Sequence, residues 1–132
     1  MKIFLASFLQ PQNFGPGRII GIVNGARPKD VKVDVVFEPL TPPVELINTY
    51  NELRPKDGKA AGEMFVSKYI EQLEIFYESV QKAAVEAGED ITSLLPFQDG
   101  DTLASWERAE YTNYRKLLAP FLEKMGYQVV LN

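Results

Sequence analysis

At 132 residues the chain has the length of one ordinary domain, and its 45% hydrophobic and 24% charged content is that of a globular protein rather than a disordered or fibrous one. With no Cys and no His, thiol nucleophiles, imidazole bases and nearly all zinc sites are excluded. The net charge of −4 argues against non-specific nucleic-acid binding, which draws its affinity from clustered Lys and Arg.

The amino end, MKIFLASFLQPQ, carries one Lys before the apolar or small run Ile3 to Leu9. That run is short for a signal peptide, and Gln10 to Asn13 supply no small-residue cleavage pattern. Ile3 to Phe8 therefore reads as a first strand, ended by Pro11 and by Gly15-Pro16-Gly17. No apolar run approaches the ~20 residues of a membrane-spanning helix, and with no export signal the expected location is cytoplasmic. Arg18 to Val23 is a second buried-type strand, closed by Asn24 and Gly25; two such runs suggest the inner strands of a sheet. Val31 to Phe37 alternates in its first part, as a half-exposed or edge segment does.

Thr41-Pro42-Pro43 places an N-cap candidate before a helix over about 43 to 53. Arg54 to Gly62, RPKDGKAAG, has the composition of an exposed connection. From Glu63 to Ala87, Val66, Tyr69, Ile70, Leu73, Phe76, Tyr77, Val80 and Ala84 form one apolar stripe, and Gly88 supplies the C′ residue. The segment DITSLLPFQDGD reads as a buried loop or a short turn of helix, with Asp99-Gly100-Asp101 as a solvated turn. Thr102 to Trp106 is a third buried strand. Tyr111, Tyr114, Leu117, Leu118, Phe121, Leu122 and Met125 then mark a final helix ending at Gly126, with Pro120 predicting a kink or break near 116 to 120. Tyr127 to Leu131 is the last strand. Strands separated by such helices predict a single α/β domain, a sandwich with a small, largely parallel sheet flanked by helices.

In open parallel sheets ligands bind beyond the carboxyl ends of the strands. Those ends carry Ser7, then Asn24 to Arg27, then Ser105 to Arg115. A small anion fits between Arg27, Arg108 and Arg115 if these converge; the plainer alternative pairs Arg108 and Arg115 with Glu107 and Glu110 on the surface. Glu107 and Glu110 can be drawn as acid and base, but sequence spacing fixes no distance between them. Asp99-Gly100-Asp101 lacks the further ligands of an EF-hand, and Phe14-Gly15-Pro16-Gly17-Arg18 precedes a strand and matches neither nucleotide fingerprint. No metal or cofactor is expected. Trp106, Tyr111 and Tyr114 can be drawn as a stacking surface, although tyrosines at helical spacing are more often core residues with outward hydroxyls.

Four segments in this order, KIFLASF, RIIGIVNGARPKDVKVD, Leu40-Thr41-Pro42-Pro43 and SWERAEYTNYR, resemble the DUF488 family of small bacterial proteins. Family members typically carry Cys, a variable residue and Glu at the end of the third strand, then Cys-His-Arg at the start of the last helix. Here those positions read Ser105, Trp106 and Glu107, then Asn113, Tyr114 and Arg115, so only the Glu and the Arg persist. The resemblance implies ligand recognition through Glu107 and Arg115 without thiol chemistry. The ligand-binding set expected is thus Ser7, Asn24, Arg27, Ser105, Glu107, Arg108, Asn113 and Arg115. The leading expectation is a non-catalytic protein that binds a small anion or a protein partner. The alternative is a thiol-independent enzyme acting on a nucleotide-like or phosphorylated molecule, with Glu107 as base. Self-association through the long helix or the last strand stays open.

Overall fold

The computed structural model describes residues 1–23, 31–105 and 114–131. The strands are β1 (Lys2–Ser7), β2 (Ile19–Gly21), β3 (Val35–Val36), β4 (Thr102–Ser105) and β5 (Gln128–Leu131), and the helices are α1 (Val44–Leu53), α2 (Gly58–Ala87), α3 (Ile91–Leu94) and α4 (Tyr114–Lys124). All five strands run parallel in the order β3-β2-β4-β1-β5, so the domain is α/β as the alternation of elements predicts. β1, β2 and β4 are interior, and the half-alternating segment contributes only the short edge strand β3.

Strand alternation divides the core into two unequal parts. Ile3, Leu5, Ile20, Ile22 and Leu103 face α1, α2 and α4, where Tyr50, Phe65, Tyr69, Leu73, Leu118 and Leu122 cover them. On the opposite face Phe8, Val23 and Ala104 are covered by loop residues including Phe14, Val31 and Val33. Tyr69 locks α2 in place by donating from its hydroxyl to the Leu40 carbonyl at 2.6 Å, and Gln72 donates to the carbonyls of Pro39 and Thr41.

Four local expectations are corrected. The exposed connection ends early, because α2 starts at Gly58 and not near Glu63. Asp57 caps it, its carboxylate accepting from the Ala60 amide at 3.0 Å. At the other end Gly88, at φ 68°, and Glu89 donate to the Val85 and Ala84 carbonyls and stop the helix as expected. Thr41 is not the cap of α1; its hydroxyl donates to the Phe37 carbonyl, and Pro43 occupies the cap position. Of the kink or break expected near 116 to 120, the break does not occur: α4 runs from Tyr114 to Lys124 with Pro120 inside it. The carbonyl that Pro120 leaves without an amide donor belongs to Lys116, and both residues are exposed, so water can serve it.

The fourth correction concerns Asp101, which is not in a solvated turn but 1% exposed. Its Oδ1 accepts from the Arg18 amide and Nε, and its Oδ2 accepts from Arg18 Nη2 at 2.6 Å and from the Gln98 amide at 2.8 Å. Burial alone raises a carboxyl pKa, but these bonds and the Arg18 charge outweigh it and hold Asp101 below the ordinary range. The Gly15-Pro16-Gly17 turn docks on the same end of the sheet. Gly15 donates to the Thr102 hydroxyl at 2.7 Å, and Gly17 donates to the Gly100 carbonyl at 3.0 Å.

Candidate functional site at the carboxyl rim of the sheet

β1 and β4 are adjacent and in register, so Ser7 lies beside Ser105 at their carboxyl ends. Alternation puts both serines on the helix-bearing side, next in line after Leu5 and Leu103, and both are buried, at 0% and 1% exposure. The described elements that follow the two strands lie on different sides of the sheet. After β1, Phe8 turns to the loop-covered face. After β4 the chain returns as α4 on the helix face. Open parallel sheets hold their ligands beyond the carboxyl ends of neighbouring strands whose following elements lie on opposite sides of the sheet.

The start of α4 is tied to that end of the sheet by Tyr114. Its hydroxyl donates to the Ile22 carbonyl, just beyond β2, at 2.8 Å, and it takes a hydrogen bond from the Ser105 side chain. Its ring packs edge-on to Tyr69 at 5.3 Å between centroids and lies 6.3 Å from Phe65. Burial pushes the Tyr114 phenol well above its ordinary pKa, with the Ser105 bond and the Arg115 charge pulling the other way. The hydroxyl therefore stays neutral across the physiological range and acts through hydrogen bonds rather than as a phenolate. Ser7 is fixed on the neighbouring strand, where its Oγ accepts from the Leu9 amide at 3.1 Å.

Arg115 follows Tyr114 in the first turn of α4 and is 1% exposed, one of the largest fully buried side chains of the protein. A guanidinium keeps its charge at any accessible pH and offers five N–H donors in a fixed plane. Holding one in the interior is costly unless acceptors or an anion face it. That burial takes Arg115 off the surface, where the plainer alternative had placed it; Glu107 and Glu110, the partners that alternative gave it, lie outside the described residues.

Of the expected binding residues, the structure gathers Ser7 and Ser105 side by side and brings Arg115 to the same end of the sheet through Tyr114. Asn24, Arg27, Glu107, Arg108 and Asn113 lie outside the described residues, as do Trp106, Glu110 and Tyr111. Sequence reasoning missed Tyr114, expecting an outward hydroxyl where the observed one turns inward and joins β2, β4 and α4. The available signal was its place between two candidate residues, Asn113 and Arg115. Among the described residues no group of three or more His, Cys, Asp or Glu side chains could hold a metal ion, and no helix is long and apolar enough to cross a membrane.

Fold and rim together define a parallel α/β domain with a buried cation and two hydroxyls at the carboxyl end of its sheet. Beyond that class, comparison with protein-family models, with curated proteins and with solved structures finds no match.

Proposed function

We propose that this protein is a divergent DUF488-like domain that binds a small oxyanion at the carboxyl rim of its sheet, without covalent chemistry. The observation that carries this reading is the burial of Arg115 at the end of the sheet where Ser7 and Ser105 lie side by side. A planar cation gives an oxyanion bidentate donors, and hydroxyls accept or donate as its protonation state requires. With no Cys or His in the chain, the thiol and imidazole steps of a covalent cycle have no residue to perform them. The enzymatic alternative depends on Glu107, Arg27 and Arg108, and no described contact favours it.

The test is a thermal-shift series with inorganic phosphate, sulfate, nucleoside monophosphates and sugar phosphates. A ligand present at a hundredfold excess over its Kd adds about 2.7 kcal/mol and raises Tm by several degrees. Arg115→Lys keeps the charge but loses the planar fork, and is expected to weaken the response about tenfold or more. Because Arg115→Ala empties a buried site and can unfold the domain, Ser105→Ala provides the second arm: the fold is retained and the response reduced. Absence of any shift at millimolar oxyanion, or a shift that survives Arg115→Lys unchanged, overturns the reading.

A further inference from the structure

α2 is 30 residues long, about 45 Å at the helical rise, and only one side of it is used by the core. Phe65, Tyr69 and Leu73 are buried against the sheet. Beside them runs a second stripe, Met64, Lys68, Glu71 and Ile75, at steps of four, three and four residues, which places these side chains on one helix face. With Leu46 and Thr49 of α1 they line an open groove of about 600 Å³. Ile75 is 62% exposed, and Val44 at the start of α1 is 51% exposed, so the groove lies within an apolar patch open to solvent. The Lys68 ammonium and Glu71 carboxylate in its middle are 3.9 Å apart and both more than half exposed. A pair of that kind contributes little within one chain.

The order of the stripe is apolar, cation, anion, apolar. Read backwards it becomes apolar, anion, cation, apolar, which is its own electrostatic complement. If a second α2 lies antiparallel on the first, with the two-fold axis at the level of Tyr69 and Ile70, Lys68 faces the partner's Glu71 and Ile75 faces the partner's Met64, each twice. The same register sets Lys82 opposite the partner's Asp57, both exposed. A parallel arrangement in register sets Lys68 against its own copy and Glu71 against its own copy, so the charges select the antiparallel pair.

We propose that the α1/α2 groove is a homodimer interface in which Ile75 of each protomer enters the groove of the other and Lys68 and Glu71 pair across a two-fold axis. The contact is isologous and closes on itself. It lies on the exposed side of α2, and it stands or falls independently of the oxyanion reading.

The test measures mass in solution by light scattering and sedimentation, at protein concentrations up to about 1 mM, where even weak association is visible. The native chain is expected at twice its monomer mass. Lys68→Glu sets Glu71 against a carboxylate on both sides of the axis and Glu71→Lys sets Lys68 against an ammonium, so each variant alone is expected to raise the dissociation constant about tenfold or more. Mixing the two restores both opposite-charge contacts and is expected to yield a heterodimer. The double variant K68E/E71K is expected to dimerise alone. Ile75→Asp is expected to be monomeric in every combination. Three results overturn the proposal: a native chain that stays monomeric throughout, a dimer indifferent to both charge reversals, as pairing through the β5 edge gives, or single variants that fail to recombine when mixed.

Discussion

At the amino end of the sheet, Asp101 is surrounded by donors from Arg18 and Gln98, and Thr102 by the Gly15 amide. At the carboxyl end the buried polar groups among the described residues include Ser7, Ser105 and a guanidinium, Arg115. The two rims are built on the same strands, Asp101 and Thr102 at one end of β4 and Ser105 at the other. In the first, a buried anion is neutralised by a cation whose own side chain is 36% exposed, and the loops of Gly15 to Arg18 and Pro96 to Asp101 are stitched to each other. That rim fastens the fold. In the second, a buried guanidinium lies at the end of the sheet that carries two buried hydroxyls, and the aromatic wall of Phe65, Tyr69 and Tyr114 stiffens what lies behind them. Substitutions at the first rim should therefore cost stability and leave oxyanion binding alone, and those at the second should do the reverse.

The largest effect is expected from Asp101→Ala. It removes the acceptor for four hydrogen bonds and leaves the Gln98 and Arg18 amides without it; a cost of about 3 kcal/mol is expected, moderated because the Arg18 head can turn to water. A shift of the urea midpoint without a change in the slope measures it. The acid limb of stability sharpens the point. The Asp101 carboxyl is held below its ordinary value in the folded protein, so its contribution is complete above the unfolded value, about 3.9, and is lost as pH falls through the lower folded one. Asp101→Asn should flatten stability below about pH 4 by removing this group.

Gly17→Ala should come next. A Cβ there lies 2.8 Å from the Gly100 carbonyl carbon and 2.9 Å from the Asp101 amide nitrogen, and backbone cannot move aside as a flexible side chain does. Overpacking of this kind costs about 2 kcal/mol. Oxyanion-induced stabilisation measured on the purified variant should equal that of the native chain. A binding defect here would show that the two rims are not independent.

How much of this was legible in the chain follows from the range of each interaction. The runs Ile3 to Phe8 and Thr102 to Trp106 announce buried parallel strands because burial on both faces erases alternation, and Gly88 announces a helix end because a left-handed residue is needed there. The amino rim was hidden because Arg18 and Asp101 are 83 positions apart, so that Asp101 after Asp99 and Gly100 reads as a turn. The start of α2 was hidden because Asp57 stands between Pro55 and Gly58, residues that speak for a loop, and a cap is decided by one local hydrogen bond. The neighbouring places of Ser7 and Ser105 follow from the rule that parallel strand ends gather at one rim. The inward turn of Tyr114 depends on the Ile22 carbonyl, just beyond β2 and 92 positions away, and no local pattern encodes it.

Tyr114→Phe tests that tie with a smaller effect, about 1 to 2 kcal/mol, since the hydrogen bond to the Ile22 carbonyl and the one from Ser105 are lost and the ring packing remains. Its signature is alkaline. Burial raises the phenols of Tyr69 and Tyr114 above their ordinary value, so the folded state keeps them neutral after the unfolded chain has begun to ionise near about pH 10. Their stabilising contribution is complete below that pH and is lost as pH rises towards the folded values. Titration of tyrosine absorbance should show these two ionising only with unfolding, and Tyr127, pushed up to about 12 by burial, ionising above the ordinary value. The Phe variant should lose less stability between about pH 10 and 12 than the native chain.

The smallest change in stability is expected from the paired serine variants Ser7→Ala and Ser105→Ala, and it divides the two rims most sharply. Ser7 leaves behind only the amide of Leu9, a residue 61% exposed and within reach of water. After loss of Ser105, Tyr114 still donates to Ile22. Each should therefore cost about 0.5 to 1 kcal/mol in urea. If the rim holds an oxyanion, the two substitutions together should reduce phosphate-induced stabilisation by far more than they reduce stability itself, because hydroxyls that are nearly neutral in folding would be direct partners of the ligand. If the serines matter only to packing, the ligand response and the urea midpoint should fall in proportion, and the carboxyl rim would then differ from the amino rim in composition but not in purpose.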